Sequence, residues 1–488
     1  MLALLILVSC GGSDPSAPPS PTDTGSATSM PSAATASTGT VVDSAGTVDS
    51  VGSVDTTATA DTSPPHTGVA TCGVGAVRFV GACPTNVLMV SIDTLRLDHI
   101  TPYDDGRGLM PTLGEYIAGG VSADDAMQCS NWTMASTSCT VLGQDHVERG
   151  FLPKLTAADR LPYPEGTRFL ATELTEAGYH TVLTSRNGFF STQEDVNNAQ
   201  GYLVELDAQR SALGQLQQGL DALTKNPTDR WFLHVHVTEP HAGYSPPEEY
   251  LTATKKLDPI PFDFRDNADV NELRWNHDEM PPDEVALAME HLRLHYEGEV
   301  RYLDDQLAEG LAAFDAAGLL DDTLVVFWTD HGEQFLEHDA LTHAYDLHAE
   351  ENDALFALWA HNIVPGVVSE PVSLIDLAPT VLAALELPPG LEMTGHPLGT
   401  APPDRDVRMV SVARGEGHNA LRRGDHKLVF DWTTGRRHLY DTVADPGETN
   451  DLFVVGDPLS DALWTDLRSY VEATELLAPE VVISWPAD

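Results

Sequence analysis

The chain has 488 residues, 42% of them hydrophobic, and a formal net charge of −48 at pH 7. That length fits one large α/β domain with an appendage, or two to three domains, with enough apolar material for a sizeable core. The acidic balance argues against nucleic acid as a partner, because its phosphates would be repelled, and an anionic substrate would need local cations to offset the general field.

Residues 1–10, MLALLILVSC, are a short apolar run that ends in Leu7-Val8-Ser9-Cys10. That tetrapeptide fits the lipobox of a bacterial lipoprotein signal with Cys10 as the acylated residue, although no Lys or Arg precedes it. A helix of this length does not span a bilayer. The expectation is an exported chain, anchored to a membrane of the cell envelope (outer membrane or periplasmic face) through lipidated Cys10. Residues 11–70 are a tract of Ser, Thr, Pro, Ala, Gly and Asp with the degenerate repeat VDSAGTVDSVGSVDT. Such a composition cannot bury enough apolar surface to fold and reads as a disordered tether, with an r.m.s. span on the order of 40 Å. Four further cysteines remain, Cys72, Cys83, Cys129 and Cys139. An even number in an exported chain suggests two disulfides. Proximity favours Cys72–Cys83 and Cys129–Cys139, with isolated buried thiols as the alternative.

From Pro84 onward, strands alternate with helical stretches, the pattern of a mainly parallel α/β sheet. Four candidate strands end in polar groups: Val87–Ile92 before Asp93, His180–Thr184 before Arg186 and Asn187, Trp231–Val237 before Glu239 and His241, and Thr323–Trp328 before Asp330 and His331. Ligands of open α/β sheets bind beyond the carboxyl ends of the strands, so these groups are the first candidates for a site. Helices are expected over Thr167–Gly178, Val285–Gly318 and Pro371–Leu387, and Asp258–Pro282 reads as a loop over the site. Residues 71–395 form the larger domain. Residues 396–488 read as a smaller α+β subdomain, with a hairpin joining His426–Phe430 to His438–Tyr440 through Gly435 and a helix over Asp461–Thr474.

Three segments carry chemistry. Asp93 and the adjacent pair Asp330-His331 are strand-end groups able to hold one divalent metal ion. In Trp132–Thr140, hydroxyl residues crowd the start of an expected helix, whose free N–H groups suit an oxyanion and whose Thr133 hydroxyl needs a cation for activation. The alternative there is a capping cluster without chemistry. His241, after Glu239-Pro240, and His343 are candidates to steady a transferring group or protonate a leaving oxygen. His338 is a weaker candidate, and His291 and His295, at i and i+4, read as a solvated helix face.

The ordered set NVLMVSIDTLRLDH, NWTMASTSCTVLG, LTEAGYHTVL, FLHVHVTEPHAGYSPP, VRYLDDQL, TLVVFWTDHGEQFLEH, EPVSLIDLAPTVLAAL and KLVFDWTTGRRHLYDTVADPGETNDL resembles the sulfatase family of the alkaline phosphatase superfamily, over about Pro84 to Tyr470. The resemblance implies an alkaline-phosphatase-like α/β sandwich with a small C-terminal sheet subdomain. It implies metal ligands at Asp93, Asp330 and His331, and the nucleophile position at Thr133, which would also bind the metal. It places His241 on an active-site histidine, Arg186 near a basic residue and His343 on a further cation.

Several departures stand out. The family's usual Cys or Ser is Thr133, its Pro is Ala135 and its Arg is Thr137. Threonine cannot give the formylglycine aldehyde, because its β-carbon already bears a methyl group. The acidic pair of typical members reads Asp93-Thr94, and the later Asp-Asn reads Asp330-His331. This donor set looks like that of lipoteichoic-acid-synthase-type phosphoglycerol transferases. The imidazole shifts the expected metal toward Mn²⁺ or Zn²⁺, with Ca²⁺ or Mg²⁺ as alternatives. The expected activity is hydrolysis of an anionic sulfate or phosphate ester. The rivals are transfer of phosphoglycerol or phosphoethanolamine to an alcohol, and an inert binding protein on the same fold.

Overall fold

A computed structural model of the protein describes residues 70–154, 162–191, 196–251, 257–414 and 416–486. The lipobox segment with Cys10 and the tether as far as residue 69 lie outside the described residues.

Asn86–Ile92 is the central strand of an eight-stranded sheet, and every residue from Val87 to Ile92 is buried. Edge to edge, the strands run Gly366–Val368, Val121–Ala123, Phe356–Trp359, Thr323–Thr329, Asn86–Ile92, Trp231–Val237, His180–Ser185, Val204–Asp207. The last five are mutually parallel, and Phe356–Trp359 is antiparallel to both of its neighbours. The sheet is thus mainly parallel, as the pattern of strands and helices implied.

The sheet is covered on both faces, which is why its central strands are continuous apolar runs. Successive side chains alternate between two cores. Val87 and Met89, with Phe232, Leu324, Val326 and Trp328, pack against residues of Thr133–Leu142, Leu170–Glu176 and Leu377–Ala384. Leu88, Val90 and Ile92, with Leu233, Val235, Val325 and Phe327, pack against Ala212–Lys225 and Pro282–Ala316. Continuing the alternation past the strand ends puts Asp93 and Asp330 on the first face, beside the start of helix Thr133–Leu142.

All ten residues of that helix are buried, although it is rich in Ser and Thr. The hydroxyls are satisfied locally: Ser136 donates to the Trp132 carbonyl at 2.9 Å, Thr137 to Thr133 at 2.5 Å, Thr140 to Ser136 at 2.8 Å, and Ser138 to Met134. Back-bonding of this kind makes a polar helix compatible with a buried position. The disulfide Cys129–Cys139 ties the helix to the loop that leads into it, and Cys72–Cys83 closes the N-terminal hairpin. Both pairings agree with the expectation from sequence proximity.

The C-terminal subdomain is a four-stranded antiparallel sheet, Val407–Ala413, Glu416–Arg423, His426–Asp431 and Arg437–Asp441 in sequence order. Gly435 sits in the expected hairpin turn at φ +69°. Helix Pro458–Leu477, N-capped by Asp457, packs Leu463, Trp464, Leu467 and Val471 onto the sheet.

Three expectations need correction. Pro371–Leu387 is helical only over Leu377–Ala384. Its start is a short strand, Val372–Ser373, that pairs with Ala126–Met127 and so draws the chain out of the helix. Asp258–Pro282 is not all loop: Asn267–Asn276 is a helix capped by the Asp266 side chain, with Val270 and Leu273 buried at i, i+3. The long helix runs Pro282–Ala316, starting three residues before the expected Val285 because Pro282 occupies its first turn.

Replacing Cys129 and Cys139 together by Ala should lower the unfolding free energy by roughly 3 kcal/mol, the loop-entropy value for a ring of this size. Urea denaturation checks it, and the Cys72/Cys83 double variant serves as a control away from the site.

Candidate active site

Asp93, Asp330 and His331 meet beyond adjacent strand ends, all fully buried. Each carboxylate presents one satisfied and one free acceptor. Asp330 Oδ1 accepts from the Thr94 N–H at 3.1 Å and the His331 N–H at 2.8 Å, while Asp330 Oδ2 has no hydrogen-bond partner. Asp93 Oδ2 accepts from Asn187 Nδ2 at 2.5 Å, while Asp93 Oδ1 has none. His331 Nδ1 lies 3.0 Å from the Gly332 carbonyl, which only a ring N–H can satisfy, so Nε2 is the lone pair. That lone pair stands 3.7 Å from Asp93 Oδ1 and 3.6 Å from Asp330 Oδ2.

Three buried acceptors facing one another repel unless a cation lies between them. A tetrahedral ion with bonds of about 2.1 Å separates its ligands by about 3.4 Å, close to what is found. The residues therefore fit a divalent metal. Burial pushes the Asp93 carboxyl up, but the His241, His236 and His331 rings outweigh it and hold it at about 2. Burial and then the Asp93 charge push the Asp330 carboxyl well up.

Thr133 is the first residue of its helix, and its Oγ1 lies 3.4 Å from His331 Nε2. Asn187 Nδ2, which holds Asp93, also lies 3.3 Å from Thr133 Oγ1. The strand His180–Ser185 thus sends Asn187 into the site. Arg186 is exposed and donates to the Ala208 carbonyl at 3.3 Å, outside this cluster.

His343 and His241 form the opposite wall, with ring centroids 5.3 Å apart, and His343 is 4.4 Å from the His331 ring. His343 Nδ1 contacts Glu333 Oε1 at 3.3 Å, and the Tyr244 hydroxyl donates to Glu333 Oε2. Burial lowers the His343 pKa, and the neighbouring His331 and His241 lower it further, so this ring is neutral. Burial also acts against a charge on His241, but Asp93 and Glu333 more than offset it and its pKa is raised. His338 points away to Glu350 and stacks on His348. His291 and His295 are half-buried, contacting the carbonyls of Asp258 and Tyr244, and are not a solvated face.

Residues 85–387 match the sulfatase family model. The chain belongs to the sulfatase family. It is 23% identical over 254 residues to an arylsulfatase of Clostridium perfringens, covering 49% of this chain and 52% of the relative. Across the curated relatives it matches, the aligned part spans about half of their length or less. Its fold is similar to that of a 2-O GAG sulfatase, with TM-score 0.60, 16% identity and 82% and 93% of the two chains covered. It is similar too to a phosphonate monoester hydrolase from Silicibacter pomeroyi, with TM-score 0.59, 18% identity and 82% and 96% covered.

Around this site, sequence reasoning passed over Glu351. Glu351 is fully buried and accepts from Asn131 Nδ2 at 2.8 Å, Gln334 Nε2 at 2.8 Å, and the N–H groups of Ala344 and Tyr345 at 2.7 and 3.2 Å. It joins the lead-in of the Thr133 helix to the His343 loop. Gly332 is required by close approach: a Cβ there would meet the Glu350 carbonyl oxygen at 2.0 Å. Thr94, a β-branched residue at φ +56°, turns the chain just after Asp93 and aims its N–H at Asp330. The signal for Glu351 was weak, since an acid in a helical stretch reads as surface.

Glu299 braces the segment carrying His241, accepting from the Ser245 N–H at 2.7 Å. Burial, then the charge of Glu239, raises its pKa from 4.5 to about 7. The folded state therefore binds this proton more tightly than the unfolded state. The Glu299 contribution to stability is fully present below pH 4.5 and is lost as pH rises to about 7, roughly 3 kcal/mol in all. Glu299→Gln keeps the acceptor and should flatten that fall, read as melting temperature against pH from 4.5 to 8.

Proposed function

We propose that this chain is a divalent-metal-dependent ester hydrolase with Thr133 Oγ as nucleophile, acting outside the cytoplasm on an anionic ester and anchored through lipidated Cys10. The observation that carries it is the convergence of two unpartnered carboxylate oxygens, Asp93 Oδ1 and Asp330 Oδ2, with His331 Nε2, which meets the Thr133 hydroxyl at the start of a buried helix. A cation held by Asp93, Asp330 and His331 would supply positive charge to the Thr133 oxygen and to the oxygens of the transferring group. The imidazole in this set favours Mn²⁺ or Zn²⁺ over Ca²⁺ or Mg²⁺.

The chain's own groups divide the remaining work. Asn187 fixes the Thr133 oxygen relative to Asp93. The helix start turns its positive end toward the incoming anion. Thr133 Oγ loses its proton to water as it bonds to the phosphorus or sulfur, the bond from that centre to the ester oxygen breaks, and the departing oxygen takes a proton from His241. Water then attacks the Thr133 ester, its hydroxyl going to the phosphorus or sulfur and its proton to His241, and the released Thr133 oxygen takes a proton from solvent. Neutral His343, hydrogen-bonded to Glu333, spaces the charged ring from His331.

A phosphate ester is preferred to a sulfate ester. The aldehyde route of typical sulfatases is closed to Thr133, leaving direct attack by a hydroxyl. The similarity to a phosphonate monoester hydrolase supports phosphorus chemistry on this fold.

Elemental analysis of the purified protein with a panel of aryl sulfate, phosphomonoester and phosphodiester substrates tests this reading. Mn²⁺ or Zn²⁺ should be retained, chelation should abolish turnover, and Thr133→Ala should lower kcat on the order of 10³-fold or more. Turnover of the sulfate alone would defeat the phosphoester preference, and unchanged turnover in Thr133→Ala would remove the nucleophile. If product forms only when an acceptor alcohol is added, the enzyme is a transferase. His241→Gln should slow esters with poor leaving groups more than activated aryl esters, read as a steeper dependence of rate on leaving-group pKa.

A further inference from the structure

Behind Asp93 runs a chain of buried polar side chains that the proposed reaction does not use. The Tyr202 hydroxyl lies 2.7 Å from His234 Nδ1. His234 Nε2 lies 2.9 Å from Ser91 Oγ, and Ser91 Oγ lies 2.8 Å from His236 Nδ1. His236 Nε2 then faces Asp93 Oδ2 at 3.7 Å. Ser91, His234 and His236 are fully buried. Strand geometry explains the alignment: Ser91 is in register with His236 on the neighbouring strand, and His234, two residues earlier, shares its face. Two imidazoles and a hydroxyl occupy positions in the sheet centre where apolar residues would cost nothing in desolvation.

The protons in this chain have a direction. Ser91 carries one O–H, so it donates to one ring and accepts from the other. Each neutral ring carries one N–H, so the choice at Ser91 sets both rings. In one orientation Tyr202 donates to His234 Nδ1, His234 Nε2–H to Ser91, and Ser91 to His236 Nδ1, which leaves an N–H on His236 Nε2 facing Asp93. In the other, every donation reverses and His236 turns a lone pair toward a carboxylate oxygen. A carboxylate accepts only, so the second orientation sets two acceptors against each other and the first sets a donor against an anion.

We propose that the Tyr202–His234–Ser91–His236 chain fixes His236 as the Nε2–H tautomer, which holds Asp93 Oδ2 together with Asn187 and leaves Asp93 Oδ1 as the cation's oxygen. His236 is thus a positioning residue and not a metal ligand. The arrangement accounts for the unequal treatment of the two Asp93 oxygens: Oδ2 accepts from Asn187 and faces His236 Nε2 at 3.7 Å, whereas Oδ1 has no hydrogen-bond partner. It also accounts for the contrast with His331, whose Nδ1 contact with the Gly332 carbonyl turns its Nε2 lone pair into the site. The role of Oδ1 rests on the metal reading above, whereas the tautomer does not.

The test is Mn²⁺ binding by isothermal titration to the unaltered protein and to His236→Leu, His236→Gln, Ser91→Ala and Tyr202→Phe. Outer partners of metal-holding groups are worth about 10–100-fold in affinity. His236→Leu should weaken Mn²⁺ binding by about that factor. His236→Gln, whose amide N–H takes the place of Nε2–H, should recover most of the loss, and Ser91→Ala should lie between. Tyr202→Phe, at the half-buried far end, keeps its ring on Phe232 and covers the case in which the central variants fail to fold; it should weaken binding severalfold. Equal losses in His236→Gln and His236→Leu would mark a ligand and overturn the proposal, as would His236→Leu or Tyr202→Phe binding Mn²⁺ as tightly as the unaltered protein. Ring ¹⁵N shifts of metal-free protein, with His236 assigned by difference, should show Nε2–H, and Nδ1–H there would overturn it independently. Failure of the unaltered protein to bind Mn²⁺ would strike the metal reading, and the ¹⁵N result would still decide the tautomer.

Discussion

Two carboxylate oxygens without donors, Asp93 Oδ1 and Asp330 Oδ2, and the His331 Nε2 lone pair, whose one contact is the Thr133 hydroxyl, are held within a few ångströms of one another out of water. Left to themselves they repel, and their desolvation costs several kcal/mol per ion. The surrounding structure keeps them together by satisfying everything else they carry. Backbone N–H groups take Asp330 Oδ1, a carbonyl takes His331 Nδ1, and Asn187 takes Asp93 Oδ2. Left-handed Thr94 is part of the same arrangement, because its turn delivers one of those N–H groups.

That arrangement depends on the sheet. Adjacent parallel strands bring Asp93 and Asp330 to one edge, and side-chain alternation sends both to the face occupied by the Thr133 helix. The C-terminal subdomain contributes too. Ser411 donates to Asn131 Oδ1 at 2.5 Å, and Arg414 donates to the His343 carbonyl at 3.2 Å. Glu351 joins these two segments from below. The lead-in to the Thr133 hydroxyl and the loop carrying His343 are therefore set by a buried carboxylate and by a strand some 280 residues away.

Neighbouring rings differ in charge for reasons of environment. His241 faces Asp93 and Glu333 and its pKa is raised against the effect of burial, whereas burial and then the His331 and His241 rings lower that of His343, which also contacts Glu333. In a chain of net charge −48, local positive charge near the site comes from such placement, not from composition.

Strand runs with polar ends were legible in the sequence because continuous apolar stretches admit few other readings, and Asp93, Asp330 and His331 were singled out on that basis, Thr133 from the hydroxyl-rich start of an expected helix. The two disulfides were legible from spacing. Other features were set by tertiary context. Asn187 reaches Asp93 while adjacent Arg186 turns to Ala208, a choice made by side-chain direction at a strand end. The helix Asn267–Asn276 forms in an acid- and amide-rich stretch because Val270 and Leu273 find a core to bury in. His234, His236 and Glu351 look like ordinary strand and helix residues until partners distant in the chain align with them. The sequence by itself determined which residues end the strands, because apolar runs and their polar stops are local. Only the tertiary structure decided which oxygen of each carboxylate is left free, because that depends on donors brought in from other strands.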